Sequence, residues 1–165
     1  MNTNQINYYA KRDKFLKKRF LGCFSSDELP VKFKNNSALI CNLCSSAIRG
    51  DISRYICHWI SIVNYKNCIF YFCPSGTSSY KFSENVANFL KRNLSNKEIK
   101  FKSNKQQIQS QNSQLCGMYA LYFLAKFYRS KVKSFNHINK IFNKKNLEQN
   151  DVIVTRHFKK IFEKR

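Results

Sequence analysis

Acidic residues are scarce in this chain. Nine Asp and Glu stand against 30 Lys and Arg, a formal net charge of +21 at pH 7. So one-sided a balance suggests a polyanionic partner such as DNA or RNA. Gly and Pro are also few, 4 and 2 residues, and no domain-scale linker or internal repeat interrupts the chain. The 165 residues are enough for one hydrophobic core and too few for two, so residues 1–165 read as a single domain. The scarcity of Gly and Pro beside abundant Lys, Asn, Ile, Phe and Tyr is also what AT-rich coding DNA yields whatever the function, which discounts part of the charge signal.

Long hydrophobic runs are missing. The longest, near 115–128, is broken by Lys126 and is too short to span a bilayer, so no membrane partner is expected. No apolar segment of the secretory type precedes the cysteines. The seven cysteines, Cys23, Cys41, Cys44, Cys57, Cys68, Cys73 and Cys116, are an odd number, and an intracellular, reducing location is the default expectation. Cys41-x-x-Cys44 has no second matching pair and only Cys57 as a nearby sulfur, so it reads as two buried cysteines rather than a zinc site. With 43% apolar residues and 15% aromatic ones, wholesale disorder is excluded too.

Residues 5–20, "QINYYAKRDKFLKKRF", suggest a basic N-terminal helix, and 21–30, "LGCFSSDELP", a turn-rich loop. "SALICNLC" (37–44) is a short buried strand or helix; its periodicity does not decide which. "HWISIVNYKNCIFYFCPSG" (58–76) carries two runs of β-branched and aromatic residues around polar "NYKN", a hairpin without the tight-turn Asn-Gly pair. A turn centred on Tyr65 and Lys66 pairs Asn64 with Asn67, Ile62 with Ile69, Ile60 with Tyr71 and His58 with Cys73. Val63, Ser61 and Trp59 then meet Cys68, Phe70 and Phe72 on the other face. Both faces are apolar, which predicts a hairpin inside the sheet with layers on both sides. Phe82, Val86, Phe89 and Leu90 predict an amphipathic helix over 83–93, a strand falls within 97–109, and helical segments cover 116–128, 134–144 and about 150–163.

The chemistry centres on "QIQSQNSQLCGMYALYFLAKFY", residues 107–128. Cys116 stands where an apolar helix begins, and unpaired N–H groups at a helix N-terminus lower a thiol pKa. Gly117 leaves room for a substrate backbone. A thiol nucleophile needs a base, and the chain offers three histidines, His58, His137 and His157, of which His58, beside Trp59 in an apolar strand, is the most rigidly placed. Gln109 and the Cys116 N–H are candidate donors to an oxyanion. Each residue alone has a plainer reading as core packing; their order and spacing raise the odds together.

"HW" opening a hairpin, an aromatic strand ending in x-P-x-G, and "Q-x-x-N-S-x-x-C-G" before an apolar helix resemble the adenovirus maturation protease family (adenain). "FLGCF" at 20–24 extends the resemblance over about 18–130. Similar small proteases occur in virophages and polinton-type transposons, whose AT-rich genomes suit this composition. The resemblance implies an α+β cysteine protease fold, a small mixed sheet between helices, with the nucleophile at the N-terminus of a central helix. It implies Cys116 as nucleophile, His58 as general base and Gln109 as oxyanion donor, with Trp59 and Gly117 at the cleft. It further implies a monomer without a required cofactor, located in the virion and the infected cell, that cuts viral capsid or core precursors after small residues such as Gly, with DNA and a short peptide as activators.

One position departs from the family. Its third residue, an Asp or Glu before the Pro, is Cys73 here, and a thiol orients an imidazole poorly. A Cys116–His58 dyad, a carboxylate borrowed from Asp27, and an inactive descendant remain open. Converging Cys73, His58 and Cys116 would also form a set that zinc accepts. Two other functions compete: a basic nucleic-acid-binding virion protein that has kept the fold without activity, and a peptidase that deconjugates ubiquitin-like proteins. The basic stretches 11–19, 97–105 and 157–165, with interleaved aromatics, suit phosphate and base contacts.

Overall fold

Alternating β-branched and aromatic residues make the hairpin of β3 (Trp59–Asn64) and β4 (Cys68–Phe72) the centre of the molecule. The computed structural model describes residues 1–48, 58–76, 83–95 and 98–162. Among these, β1 (Phe20–Ser25), β2 (Ser37–Asn42) and β5 (Lys100–Ser103) complete a five-stranded sheet in the order β1-β2-β3-β4-β5. The two outer pairs are parallel and the two inner pairs antiparallel. Helices α1 (Thr3–Arg12), α2 (Glu84–Asn93), α3 (Cys116–Arg129), α4 (Phe135–Asn139) and α5 (Gln149–Phe162) surround it. This is the mixed α+β architecture expected, with the sheet between helical layers.

The side-chain alternation of the hairpin sorts the core into two. Ala38, Ile40, Val63, Phe70 and Phe72 pack with α1, α3 and α5 on one face. Leu39, Ile60, Ile62, Ile69 and Tyr71 pack with Val86, Phe89 and Leu90 of α2 on the other. Phe82 lies outside the described residues. Helix α3 is apolar almost all round, with ten of its residues buried, as a helix enclosed on every side must be.

The hairpin register differs from the expected one. The tight turn is Lys66-Asn67, both at positive φ (47° and 54°), and Tyr65 and Cys68 exchange backbone hydrogen bonds across it. Ile62 therefore pairs with Tyr71 and Asn64 with Ile69, a shift of two positions on the partner strand. Such a shift preserves faces, so the predicted division of residues between layers survives.

The expected loop at 21–30 is in its first half the edge strand β1. Gly22, at φ 143°, sits at a register irregularity between Phe20 and Gly22, so the glycine shapes an edge strand instead of ending one. The segment 37–44 resolves as strand β2. Helix α1 starts earlier than predicted and ends at Arg12. The Asn2 side chain accepts the Gln5 N–H while Gln5 accepts the Asn2 N–H, a capping box. Asp13 then leaves the helix with an extended backbone, and its carboxylate accepts the N–H groups of Phe15 and Leu16. Of the segment predicted helical at 134–144, only α4 is.

Candidate active site

Three separate devices bring the hairpin end, the start of α3 and the intervening loop together. Ser61, buried on β3, donates to the Ala120 carbonyl of α3 at 2.7 Å, and Phe72 of β4 stacks on Phe123 of α3 with centroids 4.4 Å apart. These fix the helix start relative to His58 and Trp59. The turn after β4 then holds the loop: the Pro74 carbonyl accepts the N–H groups of Ile108 (2.9 Å) and Gln109 (3.1 Å). Gly76 has φ 78°, and a Cβ there would lie 2.9 Å from the Lys105 carbonyl oxygen, so this close approach admits only glycine.

Asn104 completes the stitching. Its Oδ1 accepts the Cys73 N–H (2.8 Å), and its Nδ2 donates to the Cys73 carbonyl (2.7 Å) and to that of Gln106 (3.0 Å). At 1% exposure, a buried amide this fully satisfied acts as a clamp between the end of β4 and the loop carrying Gln109. Nothing in its sequence context signals it.

His58, Cys73, Gln109 and Cys116 are all buried. His58 Nε2 lies 3.4 Å from Cys73 Sγ. The register would set Ile60, not His58, opposite Cys73, so the imidazole reaches its neighbour diagonally across the hairpin. Burial lowers the His58 pKa to about 4 and pushes the Cys73 thiol up to about 11, a rise eased by the Ser75 backbone N–H. Both groups are neutral at pH 7.

Cys116 is the first residue of α3, and no side chain caps this helix. Burial pushes its thiol up, against the nearby backbone N–H groups of Trp59 and Gly117, which pull it down. The expected lowering by the helix N-terminus is thus present but outweighed by desolvation. The influence of the Trp59 N–H on the sulfur shows that the start of β3, which follows His58, lies close to Cys116.

Gln109 Nε2 donates to the Ser113 carbonyl at 2.8 Å, which leaves its second N–H for another acceptor. The hairpin end, the loop and the helix start thus carry an imidazole, an amide and a thiol, the groups that nucleophilic acyl transfer uses.

The expected borrowed acid is elsewhere. Both Asp27 oxygens are engaged by Ser46, accepting its N–H (2.8 Å) and its hydroxyl (2.6 Å). The space above Gly117 is filled by the chain itself, since a Cβ would meet the Met1 carbonyl oxygen at 3.3 Å and Ile6 at 3.4 Å. Trp59 is half-buried and packs on the α3 side of the sheet. His157 is in α5, its ring 5.0 Å from Tyr122. Among the described residues no group of three His, Cys, Asp or Glu is arranged to hold a metal ion, so Cys73, His58 and Cys116 do not form the zinc set considered above. Cys41 is buried and free, whereas Cys44 is half-buried and disulfide-bonded; Cys57 lies outside the described residues.

A thiol at the head of a buried helix and a histidine at the end of a central hairpin are the residue types a cysteine protease uses. The adenovirus endoprotease family model matches residues 20–164. The chain belongs to that family, one of viral cysteine endopeptidases. No curated protein matches the chain.

Proposed function

We propose that this protein is a viral maturation endopeptidase that cuts capsid and core precursor proteins after small residues such as Gly, with Cys116 as nucleophile and His58 as general base. The observation that carries the reading is the stitching of β3 and β4 to α3, Ser61 to the Ala120 carbonyl and Phe72 on Phe123, which sets the hairpin end bearing His58 against the helix that opens at Cys116.

The mechanism uses the tautomer with the proton on Nε2, directed at Cys73 Sγ, and Nδ1 unprotonated. Nδ1 takes the proton of Cys116 as the sulfur attacks the scissile carbonyl. Both groups start neutral, so charge forms only as the bond forms, and donors placed for that moment stabilise it. The second N–H of Gln109 and the Cys116 N–H meet the oxyanion. His58 then protonates the leaving amine, and water hydrolyses the thioester.

DNA is the proposed activator. Lys11, Arg12, Lys14, Lys17 and Lys18 are exposed at the end of α1, and α5, with exposed Arg156 and Lys159, packs against that helix through Tyr9 and Phe158, rings 5.2 Å apart. Two basic stretches thus share one side, able to follow a phosphate backbone while substrate is processed. An activating peptide remains part of the proposal on family grounds alone.

A second reading, a protease fold reduced to DNA binding, is favoured by one observation: Cys73 stands where a carboxylate would support His58. Cleavage-site profiling on a proteome-derived peptide library, with and without duplex DNA, separates the two. The protease reading expects new termini after small residues with wild type and none with Cys116→Ala. Identical profiles from both proteins would leave the DNA-binding reading.

A further inference from the structure

Ser113 stands between the proposed oxyanion donor and the helix of the proposed nucleophile, and its polar groups reach both. Its carbonyl accepts the Gln109 Nε2 proton at 2.8 Å. Its hydroxyl accepts the N–H of Leu115, the residue preceding α3, at 3.2 Å and donates to Asp151 Oδ1 at 2.9 Å. The same carboxylate oxygen accepts the Tyr119 hydroxyl of α3 at 2.8 Å. One side chain in the first turn of α5 therefore grips both the loop entering α3 and the helix itself.

We infer that Asp151 and Ser113 are positioning residues for the oxyanion site, Asp151 holding Ser113 so that the Ser113 carbonyl orients the Gln109 amide. The inference rests on the reading of Cys116 as nucleophile and Gln109 as oxyanion donor.

The amide itself supplies the reason. Gln109 is 3% exposed, and its Oε1 is buried with no hydrogen-bond partner. Of its side-chain atoms, only Nε2 is held, by Ser113. Turning the amide over would set Oε1 against the Ser113 carbonyl, acceptor against acceptor, with Nε2 left unbonded in the buried position. The carbonyl thus decides which end of the amide is offered to the reacting oxygen, and it stays in place because the Ser113 hydroxyl is tied to Asp151. Cys116 is secured by other means, the Ser61–Ala120 bond and the Phe72–Phe123 stack, so loosening Ser113 should disturb the oxyanion donor and leave the thiol in place. An Asp151 that merely pinned α5 would lower stability without this selectivity.

The test uses Ser113→Ala, Asp151→Ala, the double variant and Asp151→Asn. Four quantities are read: kcat and KM on a peptide from the cleavage profile, inhibition by a tripeptide aldehyde ending in glycinal, the iodoacetamide rate at Cys116, and the thermal midpoint. The aldehyde adduct needs the oxyanion donors; alkylation does not. Either Ala variant is expected to lose kcat and aldehyde affinity by about ten- to a hundredfold, as for a misplaced or missing donor, with KM and alkylation within about twofold of wild type. The double variant should be no worse than Ser113→Ala in kcat and aldehyde affinity, because Asp151 reaches the oxyanion site through Ser113, while loss of its Tyr119 bond shows in the thermal midpoint. Asp151→Asn, whose amide oxygen accepts both hydroxyls, should recover most of the loss.

Wild-type kcat in both Ala variants, a parallel fall in alkylation, or multiplying losses in the double variant would overturn the role. Should Asp151→Ala fail to fold, Ser113→Ala with Asp151→Asn decides alone. A Cys116→Ala protein that cleaves like wild type contradicts the protease reading instead, so the two failures are told apart.

Discussion

His58 Nε2 lies 3.4 Å from Cys73 Sγ, although the hairpin register opposes neither residue to the other. The imidazole leans along the strand to a sulfur in the place where the family carries a carboxylate. A neutral thiol does not favour the charged imidazole as a carboxylate would, and burial lowers the His58 pKa to about 4.

That value fixes the acid limb of catalysis. The base must be unprotonated, and His58 stays so down to about pH 4, so kcat/KM should hold level from neutral pH to about pH 5 and fall below it. A pH–rate series on a profiled peptide measures this. An acid limb near 6.5 would show an imidazole that burial does not shift.

Replacing Cys73 by Asp sets a carboxylate beside Nε2. A neighbouring anion favours the imidazolium, raising the His58 pKa, so the acid limb should move to higher pH. The carboxylate also holds the Nε2–H tautomer and stabilises the charged ring that forms during attack, and turnover at pH 7.5 should rise about tenfold or more. Unchanged turnover with an unmoved limb would mean that another group already does this work.

Stability should follow the buried histidines. Unfolded imidazoles take up protons near pH 6.5, while His58 and His157, both lowered to about 4 by burial, resist. Between those values the unfolded chain binds more protons, so unfolding free energy falls as pH drops from about 6.5 to 4. Urea midpoints at pH 7, 5.5 and 4.5 should decline in that order; a flat series would contradict the buried, neutral state of both rings.

Much of this arrangement was legible in the sequence. The hairpin strands, their two apolar faces and the helix opening at Cys116 carry strong local patterns, and all are present. The turn was misplaced by one residue because Lys66-Asn67 adopts the positive-φ turn without the Asn-Gly pair that usually marks it. β1 was unreadable because its glycine, a turn signal by habit, serves an edge strand. Asn104 and Asp151 left no local trace: their roles are hydrogen bonds to chain 31 and 38 residues away, which only the fold supplies. The thiol pKa was misjudged for the same reason, since a helix N-terminus shows in sequence and desolvation does not.

DNA affinity should be steep in salt. If about six phosphates meet the basic side of α1 and α5, binding to a short duplex should weaken about a thousandfold between about 50 and 200 mM salt. Lys14→Glu with Lys18→Glu should flatten the slope, and Cys116→Ala should leave it unchanged. Fluorescence anisotropy across salt concentrations measures it; a slope untouched by the two charge reversals would place the contact elsewhere.

The most direct measurement is covalent labelling with a peptide vinyl sulfone bearing Gly at its reactive end, located by peptide mass spectrometry in wild type and His58→Ala at pH 7.5. The account predicts one modified residue, Cys116, ahead of free Cys23, Cys41, Cys68 and Cys73, and a large loss of labelling without the imidazole that accepts its proton. Labelling spread over several cysteines, or equal at Cys116 in both proteins, would contradict the Cys116–His58 pair.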